Sequence, residues 1–286
     1  MSLDAASIRP PYSGPGGPQA TRSGCCDVVV PPKEPAATSI TYFGHSTVAV
    51  ESAGACLLTD PLLRDHLLGF LRRRPPLTGL GAAGSPDAVL ISHLHYDHLD
   101  VRSLRMLPGG TRIVAPLGSG PFLGRRGFRE IVELDEGESV SVGGLRVVAV
   151  PARHGRGGRP GAGKVGALGY MIEGDARVYF AGDTALFDEM AAIGDRLDVA
   201  LLPVWGWGPR LGPGHLDPVT AAESLRMLRP RVAIPIHWGT YTPIGAPRLW
   251  PWLTTDAGHR FAQEAARVAP EVEVRVLNAG DSLAVA

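Results

Sequence analysis

The sequence predicts an α+β fold of four layers, αββα: two β-sheets packed face to face, with helices on their outer faces. Three observations carry this. Short apolar runs rich in β-branched residues recur in two clusters along the chain. Helical patterns are scattered between and after them. Gly and Pro, 37 and 26 of 286 residues, supply frequent turns and leave little room for long helices. A hydrophobic fraction of 44% is enough for a sizeable core.

Residues 1–38 are rich in Pro, Gly and Ser and lack periodicity. They are expected to form a disordered tail, which leaves 39–286 as one domain. The opening MSLDAASIRPPYSGPGGPQA has no apolar stretch of the kind a secretory leader needs. Ile40–Glu51 alternates, Ala55–Thr59 follows a turn at Gly54, and together they read as a hairpin. Asp87–Ser92 (DAVLIS) is a continuous apolar run and reads as a buried strand. Further strands are predicted at Arg112–Ala115, Glu130–Leu134, Val140–Val150, Gly169–Glu173, Arg177–Ala181, Val199–Pro203, Val232–Pro235 and Val272–Leu277. Helices are predicted at Val101–Leu107, Thr184–Ile193, Pro218–Leu228 and Asp256–Val268.

Composition removes several functions. Lys+Arg and Asp+Glu both number 28, so no nucleic-acid partner is expected. No run approaches the roughly 18 apolar residues of a membrane span. Three Cys, two of them adjacent (Cys25 and Cys26), cannot build a disulfide framework, and a cytoplasmic setting is expected. Nothing in the sequence sets an oligomeric state.

The informative residues are the nine histidines. Three of them stand in one run, His93-Leu94-His95-Tyr96-Asp97-His98, directly after the strand Asp87–Ser92. His93 and His95 are two apart and point the same way in extended backbone. Asp97 and His98 then turn into a helix for which Asp100 is the expected N-cap. One loop therefore presents imidazoles and a carboxylate in two directions, which suits two neighbouring cations better than one tetrahedral site.

This His-x-His-x-Asp-His run resembles the signature of the metallo-β-lactamase superfamily. The resemblance continues with His154 in VVAVPARHGRG, Asp183 in VYFAGDTALF and His237 in VAIPIHWGTY, each following a predicted strand. It covers about residues 39–283. Four pieces are similar to the branch that holds the N-acyl-phosphatidylethanolamine-hydrolysing phospholipase D and the ascorbate-phosphate lactonase. They are Tyr42-Phe43-Gly44-His45-Ser46-Thr47, Leu57-Leu58-Thr59-Asp60-Pro61, the Ile91–Leu99 stretch, and Gly214-His215-Leu216-Asp217-Pro218. Antibiotic-cleaving members usually carry a Cys at the position matching Asp183. Here no Cys lies beyond residue 56, so β-lactam cleavage is not the expected role.

The resemblance implies mixed sheets and a dinuclear centre in a metallo-β-lactamase-like hydrolase domain over 39–286. One ion would be held by His93, His95 and His154, the second by Asp97, His98 and His237, with Asp183 bridging. Zn²⁺ suits this set, two ions in all, and Mn²⁺ or Fe²⁺ would also be accommodated. The implied enzyme is a hydrolase whose metal-bound hydroxide attacks a phosphodiester, either phospholipase D-like or in a small molecule. The alternative is a lactonase or carboxylic ester hydrolase using the same centre. The expected partner is a small-molecule or lipid substrate.

Asp97 and His215 are the candidate catalytic residues. His215 precedes the helix opening at Pro218. It either donates a hydrogen bond or a proton to the reacting group, or is an ordinary residue at a helix N-terminus. Asp60 either accepts the N–H of a ligand His or is a turn residue before Pro61. His45 lines the site by resemblance, or is a plain strand residue. His66 and His259 match no motif and read as surface. Trp238 is expected to line the pocket because it follows His237, while Trp205, Trp207, Trp250 and Trp252 could be pocket wall or core. The segment His66-Leu67-Leu68-Gly69-Phe70-Leu71-Arg72-Arg73-Arg74 puts an apolar patch beside three Arg. It reads first as a loop packed on its own domain, and second as a peripheral contact with an anionic membrane.

Overall fold

A computed structural model describes residues 37–77, 79–155, 159–249 and 256–285. The expected tail, apart from its last two residues, lies outside them, as do Trp250 and Trp252. In chain order the elements are β1 (Thr38–Gly44), β2 (Thr47–Ser52), β3 (Ala55–Thr59), β4 (His66–Leu67), β5 (Leu71–Arg73), β6 (Ala88–Leu90), α1 (Val101–Leu104), β7 (Arg112–Pro116), α2 (Gly120–Gly124) and β8 (Ile131–Leu134). There follow β9 (Ser139–Val142), β10 (Leu145–Pro151), β11 (Leu168–Glu173), β12 (Arg177–Phe180), α3 (Met190–Ile193), β13 (Val199–Pro203), α4 (Pro218–Leu228) and β14 (Val232–Ile236). The chain ends with β15 (Tyr241–Pro243), α5 (Ala246–Leu249), α6 (Ala257–Val268), β16 (Glu273–Val274) and β17 (Ser282–Val285).

The first sheet has the order β17-β1-β2-β3-β6-β7-β8 and the second β16-β14-β13-β12-β11-β10-β9. Both are mixed. β3, β6, β7 and β8 run parallel in the first, and β12, β13, β14 and β16 in the second. The central parallel strands β6, β13 and β14 are apolar on both faces because both faces are covered. In β13, Val199 and Leu201 enter the core between the sheets, while Ala200 and Leu202 pack under the outer helices. Leu225 and Leu228 of α4 and Phe261 and Ala265 of α6 complete that outer layer. Leu104 of α1 and Phe122 and Leu123 of α2 form a thinner one on the first sheet. The four predicted layers are therefore present.

Several predicted elements differ in extent. Ile40–Glu51 is two strands, because the chain folds back at Gly44 and His45, both at positive φ. Val140–Val150 is likewise broken, at Gly143-Gly144. Of Thr184–Ile193 only Met190–Ile193 is helical. The residues before it are drawn to β10's end, where Ala185 N–H donates to Arg153 O and Thr184 Oγ1 accepts from Arg153 N–H. Val101–Leu107 shortens to Val101–Leu104 and Val272–Leu277 to Glu273–Val274. The three-stranded sheet β15-β5-β4 was not predicted at all.

Candidate metal centre

The site lies where strands end. Asp60 follows β3, His93–His98 follow β6, His154 follows β10, Asp183 follows β12 and His237 follows β14. Parallel strands put their carboxyl ends at one edge of a sheet, and loops there are free to carry chemistry. Two bonds tie the sheets together at that edge: Tyr170 OH donates to Ile91 O (2.8 Å) and Leu168 N–H to Ser92 O (2.9 Å). Gly182 must be glycine at this junction, since its φ is +59° and a Cβ would meet that of Ser92 at 2.6 Å.

The imidazoles are fixed from outside and face one another inside. His154 Nδ1 donates to Gly214 O (2.8 Å) and His237 Nδ1 to Trp205 O (2.6 Å). His98 Nδ1 donates to Asp60 Oδ2 (2.6 Å). Ser92 Oγ gives its proton to Asp60 Oδ2 (2.5 Å), and so accepts from His93 Nδ1 (3.0 Å). With the Nδ1 protons of His93, His98, His154 and His237 committed outward, their Nε2 atoms face inward, and His95 faces them with Nδ1. Yet those atoms crowd together. His98 Nε2 is 3.0 Å from His237 Nε2, and His95 Nδ1 is 2.9 Å from His93 Nε2 and 3.1 Å from His154 Nε2. Nitrogens at such distances need a proton or a cation between them.

Two sets of donors result. His93, His95 and His154 form one, and Asp97, His98 and His237, with His45, form the other. Asp183 stands between them, 2% exposed. Its Oδ2 is 3.1 Å from His98 Nε2 and 3.9 Å from His93 Nε2, and its Oδ1 is 3.4 Å from His237 Nε2. Oδ1 is buried without a hydrogen-bond partner among the described residues. All seven predicted ligands are thus brought together, and the donor chemistry fits divalent cations such as Zn²⁺. Charge is balanced within the cluster. Burial opposes ionisation of Asp97 and Asp183, but the surrounding His residues hold both well below the usual carboxylate range. Burial likewise opposes protonation of His98, but Asp183, Asp60 and Asp97 raise it well above an ordinary His. His93 faces fewer carboxylates, and burial first, then His98, push it well down.

Asp60 takes the first of its two readings. It is fully buried, its Oδ1 accepts from Ser92 N–H (2.7 Å), and its Oδ2 orients His98. An Asp60→Asn variant keeps the shape but loses the anion that fixes the His98 tautomer. Its metal affinity is expected to fall about 10- to 100-fold. Competition against a chelator measures this, and unchanged affinity would remove Asp60 from the design.

His215 is carried by the loop before α4. Asp217 caps that helix by accepting from Val219 and Thr220 N–H, while Thr220 Oγ1 accepts from Asp217 N–H, a capping box worth about 1 kcal/mol. The same loop holds Gly214, whose carbonyl orients His154. His215 Nδ1 donates to Gly212 O (3.0 Å) and Nε2 lies 3.3 Å from Asp183 Oδ2. A cavity of about 270 Å³ beside His154 is lined by Arg153, Lys164, Asp135 and Glu136 among others.

His45 belongs to the site. Its Nε2 is 3.2 Å from Asp97 Oδ2, and its ring lies 3.9 Å from that of His237. Burial first, then His237, push its pKa to about 3 against the pull of Asp97, so the ring is neutral. The sequence placed it here only by resemblance. The signal in the residues themselves is Gly44, which lets the strand reverse so that His45 faces inward. Trp238 does not line the centre. Its indole packs against Gly258 and His259 of α6, and Nε1 donates to Pro235 O. His66 and His259 are exposed, as expected.

A family described as beta-lactamase superfamily domain matches residues 56–238. A UPF0173 metal-dependent hydrolase of Opitutus terrae is 35% identical over 254 residues, which cover 86% of this chain and 99% of that protein. The N-acyl-phosphatidylethanolamine-hydrolyzing phospholipase D 1 of Caenorhabditis elegans is 34% identical over 230 residues, 72% of this chain and 64% of that one. The chain spans 61% of the length of an uncharacterized protein of Mycobacterium tuberculosis that it matches at 35% identity. Among solved structures, Igni18, a metallo hydrolase from the archaeon Ignicoccus hospitalis, superposes with a TM-score of 0.68 at 27% identity, over 87% of this chain and 99% of that chain.

Proposed function

This chain belongs to the metallo-β-lactamase superfamily of metal-dependent hydrolases, and from that premise we propose that it cleaves phosphodiesters with a dinuclear centre. The observation that supports two ions is the pair of donor sets with Asp183 between them, in which the Nδ1 atoms of His93, His98, His154 and His237 are already held by outward partners. His93, His95 and His154 would hold one ion and Asp97, His98 and His237 the other, with Asp183 common to both. Two bound ions would supply a nucleophilic hydroxide near neutral pH and positive charge for the oxygen under attack. The protein's own groups do the rest. Asp60, Gly214 O and Trp205 O lock the His rings. His45 Nε2–H faces Asp97 Oδ2 and fixes that carboxylate. His215 stands beside Asp183, which raises its pKa above that of an ordinary His, and its Nε2 would be the atom to give a proton to a departing alkoxide.

The phosphodiester class rests on that acid and on the relative named for phospholipase D activity. A buried free thiol at Cys56 fits a cytoplasmic setting. The test combines metal analysis with a substrate panel on one preparation. About two equivalents of metal and turnover of a chromogenic phosphodiester are expected. Chelation should abolish that turnover and added Zn²⁺ restore it. Turnover of lactones or carboxylic esters alone would move the assignment to that class, and less than one equivalent of metal would end the dinuclear reading.

A further inference from the structure

We propose that the tip of the small sheet β15-β5-β4 docks on an anionic lipid membrane, a role beyond hydrolysis. Scattered exposed apolar residues need no explanation, but here they gather. Leu68 and Phe70 in the β4–β5 turn are 43% and 46% exposed, and Ile244, just past β15, is 62% exposed. The three are contiguous. Ile244 N–H donates to Phe70 O (2.9 Å), and the Phe70 ring meets Trp207 edge-on at 5.8 Å.

The exposure is not a failure of packing. Beneath the tip, Leu62, Leu67, Leu71 and Tyr241 form a buried cluster of their own. Arg73 anchors the hairpin from inside, donating Nη1–H to Phe43 O (2.7 Å) and Nη2–H to Leu62 O (2.6 Å). Leu68 has a φ of +53°, strained for a bulky residue and costing about 1–2 kcal/mol. The turn thus holds an apolar side chain in water, in a conformation it disfavours.

Charge selects the occupant. Arg72 in β5, Arg74 just past the end of β5 away from the turn, and Arg248 in α5 are exposed on and beside the small sheet and make no ion pair among the described residues. Exposed Asp65 beside β4 offsets one of them, which leaves a local excess of cations in a chain of zero net charge. Apolar side chains on turns, ringed by arginines, can enter between anionic headgroups. Trp207 of this surface lies two residues after Trp205, whose carbonyl holds His237, so docking would put the metal centre near the interface.

The test uses the full chain with phosphatidylcholine vesicles, with and without phosphatidylglycerol. Sedimentation with the phosphatidylglycerol vesicles is expected, weakening as salt rises. Replacing Arg72 and Arg74 by Ala should weaken it about fivefold per arginine. Phe70→Ser with Ile244→Ser should weaken it at least about tenfold. Unchanged turnover on a water-soluble substrate shows that both variants are folded. Equal binding to vesicles lacking phosphatidylglycerol, no binding to either, or undiminished binding by either variant would overturn the proposal. So would a dimer in solution that the Ser variant dissolves, in the absence of vesicle binding.

Discussion

Asp183→Asn is expected to reduce bound metal from two equivalents to one or none and to lower turnover by about a thousandfold or more. The reasoning is electrostatic. The carboxylate is 2% exposed and reaches both donor sets, and the Nε2 atoms of His98, His215 and His237 all lie within 3.1–3.4 Å of its oxygens. Asn keeps the volume but not the charge, and among the described residues no other carboxylate lies within 4 Å of the His93–His95–His154 set. Two cations side by side repel, and the shared anion is what offsets that repulsion. Stability should follow occupancy, because ligand bound only to the native state stabilises it by mass action. Wild-type protein at a thousandfold excess of metal over the dissociation constant gains about 4 kcal/mol, and the variant should lose most of that gain. After chelation the gap should shrink but not close, because the Asp183 carboxylate also pairs with His98 and His215 in the metal-free fold. Full metal content and turnover in the variant would show that Asp183 does not join the two sets.

How much of this centre could be read from the sequence depended on how each residue is placed. His93, His95, Asp97 and His98 are neighbours in the chain, so their convergence is written in the spacing. His154, Asp183 and His237 were recoverable because each follows an apolar strand, and strand ends are predictable from composition. The partners that fix the rings were not recoverable. Gly214 O and Trp205 O are backbone atoms that any residue type could supply. The meeting of His45 with Asp97 depends on a strand reversal at Gly44 inside a run that alternates without a break. The small sheet left no periodic trace, because strands of two and three residues are too short to show one. Its β5–β15 pairing joins Leu71 to Pro243 across most of the domain. Arg73 is buried against expectation for an arginine, which its carbonyl partners and Tyr241 explain.

His215→Ala is expected to lower turnover about 10²- to 10⁴-fold while leaving metal content unchanged. Its Nδ1–H is committed to Gly212 O, so a hydrogen bond from Nε2 to Asp183 requires the ring to carry its second proton. Burial works against that charge, but Asp183 outweighs it and the pKa rises above the ordinary His value. The sign of the pH effect follows. The acid form persists to higher pH than in a free His, and the rate should fall as pH rises through the raised pKa. The variant has no such group and should lose this alkaline limb. A leaving group that is already a good anion needs no proton, so the variant's deficit should shrink with an activated aryl phosphodiester and remain large with an alkyl one. This pattern separates two roles for one ring. His215 also falls within reach of His154 and Asp183 as a donor for a cation. A ligand's loss would cut metal content and slow both substrates alike, whereas a proton donor's loss spares the metal and discriminates by leaving group.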